Sequence, residues 1–314
     1  MATDLNKHLQ DVLESHKMGK VQELTDKFKI KRNQIKEALE SKYSDRLASS
    51  PINSGSFAKH TAINKKFDLD LCIPFKRNAF NTLAEMTDEL DRYFEKEYKD
   101  GQLMLPIRKQ RVSIGLKFNI DGKEIEVDIV PGREINIDEY NSTNDLKLYV
   151  RKDGENPSTE IKTNIQKHID LISGKNSERD IIRLLKVWKY YTNVEIKSFF
   201  IELITIRAFN DNQSNLPTGL WEKLEMVLKF IRDNIEEIQL IDPANSSNII
   251  SDTIDSRSKQ NIARVIRNML AALSDDKDQI KSYFKINPDF PILSSMAYIK
   301  KQESPSILKT NNFG

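Results

Sequence analysis

The chain has 314 residues, 38% hydrophobic and 31% charged, with 49 Lys and Arg against 47 Asp and Glu. That length suits two domains, or one two-lobed unit with a sizeable core beneath a charged surface. A charge balance near zero argues against a protein whose main task is coating nucleic acid, although it leaves room for a local basic cleft.

Residues 4–47 are helical in pattern, with Leu9, Val12, Leu13, Val21, Leu24, Phe28, Ile35 and Leu39 three, four or seven apart for much of the stretch. The stretch holds one glycine, Gly19, and no proline, so a long N-terminal helix is expected. SPINSGS at 50–56 breaks that pattern, and FDLDLCIPF at 67–75 alternates like a half-buried strand. Cys72 within it is the lone cysteine and cannot form an internal disulfide, which points to a reducing cytoplasm. No apolar run approaches the roughly 18 residues a membrane span needs, and MATDLNKHLQ lacks the apolar core of a signal peptide. A cytoplasmic protein with no membrane partner is expected.

Residues 79–98 read as an amphipathic helix through Phe80, Leu83, Met86, Leu90 and Phe94. RVSIGLKFNI then runs to Asp121-Gly122 and returns as KEIEVDIVPG. Asp-Gly between two alternating runs predicts a two-residue hairpin, because both turn residues must take positive φ. After Pro157, helical patterns follow at about 159–173, 177–192, 197–210, 217–239 and 256–273. The expected organisation is an α/β (α+β) lobe over 1–155, a helical lobe over 156–300 and a flexible tail over 301–314, KQESPSILKTNNFG.

In a strand, residues i and i+2 point the same way, so Asp68 and Asp70 share a face with Cα atoms roughly 6.5–7 Å apart. Two like charges this near raise each other's pKa unless a cation or donor compensates. Glu124, Glu126 and Asp128 share one face of the hairpin's return strand. If that strand lies beside 67–75, a third carboxylate joins the first two. Such a donor set suits hard ions such as Mg²⁺ or Mn²⁺, two of which can activate a hydroxyl and stabilise a leaving pyrophosphate. Upstream, Gly55 permits close backbone approach to a ligand and Ser56 adds a hydroxyl, a pairing suited to phosphate. Each motif alone is ordinary, a solvated strand face or a loop. In this order they describe a nucleoside triphosphate site.

Gly55-Ser56, then Asp68-Leu69-Asp70-Leu71, then Asp128 resembles the signature of the DNA polymerase β-like nucleotidyltransferases. Within that superfamily, GSFAKHTAI…DLDL, VDIVPG, ENPSTEI…HIDLI, IIRLLKVWK, IKSFFIELITIRAF and DPANSSNI resemble the bacterial cyclic-oligonucleotide synthases. These are the CD-NTases, relatives of oligoadenylate synthase and cyclic GMP-AMP synthase. The resemblance covers most of residues 50–270. His60 departs from it, standing where many relatives carry a small or basic residue.

The resemblance implies a catalytic lobe with a small mixed sheet, a helical lobe, and an N-terminal helix bracing both. It implies two metal ions on Asp68, Asp70 and Asp128, with Asp128 helping to deprotonate the attacking ribose hydroxyl. Gly55 and Ser56 would seat the donor triphosphate, ATP among the substrates. Lys186, beside the inward stripe of Ile181, Leu185 and Trp188, would neutralise it. Ser198 reads equally as a helix cap or a phosphate donor. The implied activity is synthesis of a cyclic di- or trinucleotide second messenger for antiphage defence, with release of pyrophosphate and no obligate nucleic acid partner. Two alternatives stay open, a terminal nucleotidyltransferase extending RNA and a catalytically silent nucleotide-binding module. Some relatives are conjugated through a C-terminal glycine, which makes Gly314 either a conjugation site or an ordinary frayed end.

Overall fold

The N-terminal segment forms two helices rather than the single long one expected from its pattern: α1 (Leu5–Ser15) and α2 (Gln22–Tyr43), joined through a 3-10 turn at Met18–Val21. The break has a local cause. Asn64 Nδ2 donates to the backbone carbonyls of Ser15 and Lys17 at 2.9 and 3.1 Å, and so takes carbonyl groups that a continuing helix would use. Asn287 completes this buried clasp, donating from Nδ2 to Asn64 Oδ1 and from its backbone N–H to Ser15 Oγ. The break lets each half serve a different core. Leu9 and Val12 of α1 join the helical core, and Phe28, Ile35 and Leu39 of α2 join the core beneath the sheet. The structure, a computed structural model, describes residues 3–65, 67–98, 103–104 and 106–292. Gly314, the tail over 301–314 and most of the apolar FPILSSMAYI stretch lie outside the described residues.

The sheet lobe holds β1 (Ile52–Ser54), α3 (Gly55–Ala58), β2 (Leu69–Phe75), α4 (Leu83–Glu97), β3 (Arg108–Lys109), β4 (Ile114–Ile120) and β5 (Lys123–Glu134). It continues through α5 (Tyr140–Thr143), β6 (Leu146–Val150) and β7 (Thr159–Thr163). Strand order is β1-β2-β5-β4-β3, with β6 pairing the far end of β5 and β7 pairing β6. The β2–β5 pairing is parallel and the others are antiparallel, so the sheet is mixed. The β4–β5 turn is the expected hairpin, with φ of +52° at Asp121 and +76° at Gly122.

A second stretch differs from the pattern reading. The helix expected over 159–173 begins as β7, because Thr159, Ile161 and Thr163 alternate and pair antiparallel with β6. Only Ile165–Asp170 is helical there (α6), capped by the Asn164 side chain on Lys167 N. The β6–β7 hairpin therefore straddles residue 155, and the sheet runs on past it.

The remaining chain is helical: α7 (Asn176–Thr192), α8 (Ser198–Asp211), α9 (Leu220–Asn234), α10 (Ser256–Asp275) and α11 (Ile280–Tyr283). A two-stranded hairpin, β8 (Ile241–Asp242) and β9 (Asn245–Ile249), interrupts them and contains most of the DPANSSNI stretch. Trp188 and Phe200 are fully enclosed in this lobe's core. Among the described residues no helix is long and apolar enough to cross a membrane.

Candidate active site

Leu69, Leu71, Ile73 and Phe75 of β2 all enter the core beneath the sheet. Alternation then sends Asp70 and Cys72 to the opposite face. On β5, Ile125, Val127 and Ile129 enter the same core and put Asp128 on that opposite face. Asp70 and Asp128 are partners in the parallel β2–β5 register. Asp68 stands just ahead of β2, and ligand oxygens of Asp68, Asp70 and Asp128 lie within 4.8 Å of one another. The pairing on which the third carboxylate depended is present.

This concentration of negative charge is held against electrostatic resistance. Burial, followed by the charges of Asp68 and Asp128, pushes Asp70 up to about 7, while Lys59 and Lys186 pull it down. Burial, then Asp68, pushes Asp128 up to about 6, opposed by Arg108 and by a hydrogen bond from Gln110. That bond runs from Gln110 Nε2 to Asp128 Oδ1 at 3.3 Å, and the Arg108 guanidinium stands 3.7 Å from the same oxygen. Gly115, opposite Asp128 on β4, makes room for both: a Cβ there would fall 2.8 Å from Arg108 Nε and 3.0 Å from Gln110 Nε2. Arg151 fixes the loop behind them, donating to the carbonyls of Gln110 and Ser113 and to buried Asp91.

Gly55 opens α3 immediately after β1, whose Ser54 pairs with Asp70. Its φ is +69°, and a Cβ there would lie 1.6 Å from Asp70 Oδ2. Glycine is therefore required twice, by the backbone conformation and by the close approach of the aspartate. A cavity of about 650 Å³ opens beside it, lined from the sheet lobe by Gly55, Ser56, Asp68 and Asp70 and from the helical lobe by Lys186 and Ser198.

Lys186 is more deeply held than a lysine reaching to a cleft edge. It is 7% exposed, and its Nζ donates to Thr61 O at 3.1 Å, Thr61 Oγ1 at 3.0 Å and Glu202 Oε1 at 3.4 Å. Burial lowers its pKa, and Glu202 opposes that effect. Ser198 is the first residue of α8, exposed to the cavity, and Lys197 holds the cap position without a side-chain cap bond. Phe199 is half-buried, packing against the helical core while also lining the cavity, with Lys59 Nζ 5.2 Å from its ring centre. His60 ends the α3 turn with φ of +56°.

The pattern reading did not single out Lys59, Thr61, Glu202, Arg108 or Gln110. Glu202 did carry a signal, as a lone carboxylate inside the apolar run FFIELITIRAF. Arg108 and Gln110 carried none, since only the β3–β4 pairing brings them to Asp128.

The site is thus a mixed sheet with Asp70 and Asp128 on adjoining strands and Asp68 just ahead of β2, facing a helical lobe across a lysine-lined cavity. No protein-family model and no curated protein matches the sequence. Solved structures do match the fold. CdnC of E. coli MS115-1, determined with ATP, superposes with a TM-score of 0.69 at 20% identity, over 89% of this chain and 97% of that one. The Bradyrhizobium diazoefficiens CD-NTase CdnG in complex with GTP gives 0.69 at 13% identity, over 95% and 99%. The Vibrio cholerae cyclic AMP-GMP synthase DncV gives 0.58 at 13% identity, over 79% and 71%. The chain thus has the CD-NTase fold across nearly its whole described length.

Proposed function

We propose that this protein is a metal-dependent nucleotidyltransferase that joins nucleoside triphosphates into a cyclic di- or trinucleotide and releases pyrophosphate. The observation that carries the reading is the cluster of Asp68, Asp70 and Asp128, of which Asp68 and Asp70 line a cavity that Lys59 and Lys186 also line. The donor set fits hard divalent cations: three carboxylates, two of them raised in pKa by burial and by their neighbours' charge, need positive charge. Bound there, two Mg²⁺ or Mn²⁺ ions would activate the attacking hydroxyl and stabilise the leaving pyrophosphate.

The chain's own residues supply the rest. Gly55, lacking a side chain, lets the donor's phosphates approach the backbone beside Asp70, and Ser56 offers a hydroxyl. Lys186 and Lys59 place positive charge where the polyphosphate gathers negative charge. Ser198, open to the cavity, adds a second hydroxyl. Asp128, steadied by Gln110 and Arg108, is the carboxylate oriented to take the ribose hydroxyl proton.

ATP and GTP, bound by CdnC and CdnG, are the first substrates to test. The resemblance adds a role as a second-messenger synthase in antiphage defence, and a lone cysteine, Cys72, with no disulfide partner in the chain suits a reducing cytoplasm. The test is incubation with the four ribonucleotides and Mg²⁺ or Mn²⁺, phosphatase treatment and mass spectrometry. Small phosphatase-resistant products are expected. RNA-dependent ladders would mean a terminal transferase, and unchanged nucleotides a binding module.

A further inference from the structure

Glu202 stands in a strongly apolar helix, with Phe200, Ile201, Leu203 and Ile204 buried around it. A carboxylate left 3% exposed in such surroundings is strongly unfavourable unless paired and hydrogen-bonded. Its partners come from two other segments. Lys59, at the end of the α3 turn, ion-pairs with Oε2, while Thr61 Oγ1 at 3.1 Å and Lys186 Nζ at 3.4 Å donate to Oε1. The Thr61 carbonyl is a further acceptor for Lys186.

We propose that Glu202 is a positioning residue for the triphosphate: its two oxygens hold the ammonium groups of Lys59 and Lys186 side by side at the cavity, so that one polyphosphate meets both. The proposal rests on the nucleotide-binding reading of that cavity. Two cations share one anion here, so the cluster keeps a net positive charge towards a polyanion while the lysines remain ordered. Without the carboxylate they repel each other within a buried space. Desolvation first, and repulsion from Lys59 after it, already act together against the charge on Lys186. Thr61 ties the arrangement to the backbone between Gly55 and Asp68, so the helical lobe and the phosphate turn are set by one group of hydrogen bonds.

A carboxylate that merely screened the lysines would have the opposite effect, because its removal would leave the cavity more positive and bind a polyanion more tightly. The sign of the change therefore decides. Glu202→Gln and Thr61→Val are to be compared with wild type for nucleotide KM and kcat, for Kd of a non-hydrolysable ATP analogue with Mg²⁺, and for Tm. Glu202→Gln is expected to raise KM and Kd about tenfold with a smaller change in kcat. Thr61→Val, which keeps every charge, is expected to raise both about threefold. Tighter binding in Glu202→Gln, or a lowered Tm with Kd unchanged, overturns the proposal. Should Glu202→Gln fail to fold, an unchanged Kd in Thr61→Val overturns it alone. The analogue's Kd needs no turnover, so a wild type that makes no product defeats the proposed reaction while the role of Glu202 is still decided.

Discussion

The acidic wall of the cleft stands on two neighbouring strands, where Asp70 and Asp128 are in register and Asp68 is two residues away. The basic wall is assembled from the α3 turn, α7 and α8, whose Lys59 and Glu202 are 143 positions apart in the chain. Sheet register places Asp70 and Asp128 by a local rule, alternation along β2 and β5, and the protein offsets their repulsion only in part, through Lys59 and Lys186 at Asp70 and through Arg108 and Gln110 at Asp128. Lobe packing places the lysines, and there the protein supplies its own counter-charge in Glu202. One wall keeps an excess of negative charge, which the proposed cations would neutralise, whereas the other is internally paired with positive charge to spare.

The sharpest way to break this contrast is at the acidic wall. Asp68→Asn together with Asp70→Asn should lower nucleotide turnover by at least about a thousandfold, because two of the three carboxylates of the proposed metal site are lost. Full activity in that variant would sink the mechanism. Gly55→Ala should come next. It drives a methyl into Asp70 Oδ2 at a φ of +69°, so about 1–3 kcal/mol of stability should be lost, read by denaturant unfolding, together with most turnover.

At the basic wall, Lys186→Ala should raise nucleotide KM about tenfold, and more than Lys189→Ala, since Lys186 is the lysine paired with Glu202 and Thr61. Equal small changes at both positions would mean that Lys186 gives the triphosphate no particular support.

The smallest effect expected is in the pH dependence of stability without metal. Asp70 is raised to about 7 and Asp128 to about 6, above the carboxylates of the unfolded chain. The folded state therefore binds these protons more readily than the unfolded one. Their contribution is full below about pH 4 and is lost as pH rises through about 6 and 7. In the double Asn variant that loss is reduced, so its Tm advantage over metal-free wild type should widen between pH 5 and pH 8. A gap independent of pH would mean that the aspartates are not resisting ionisation.

The same contrast governs what could be read in the sequence. Asp68, Asp70 and Asp128 were legible because strand period and the Asp121-Gly122 turn act over a few residues. Gly55 was legible for the close backbone approach it permits, though not for its positive φ or for the aspartate pressed against it. The 159–163 stretch was misread because Thr-Glu-Ile-Lys-Thr runs straight into the helical IQKHID, and only pairing with β6 separates them. The N-terminal break was hidden for a similar reason, since Asn64 and Asn287, remote in sequence, cause it. Lys186 was visible on its helix, but its neighbours Thr61 and Glu202 become partners only when the lobes meet.

Anomalous diffraction from crystals grown with Mn²⁺ and a non-hydrolysable ATP analogue tests the division between the two walls most directly. Manganese density against Asp68, Asp70 and Asp128, with the triphosphate running from Gly55 and Ser56 towards Lys59 and Lys186, is the expected result. Manganese bound elsewhere, or a nucleotide seated away from both walls, would contradict it.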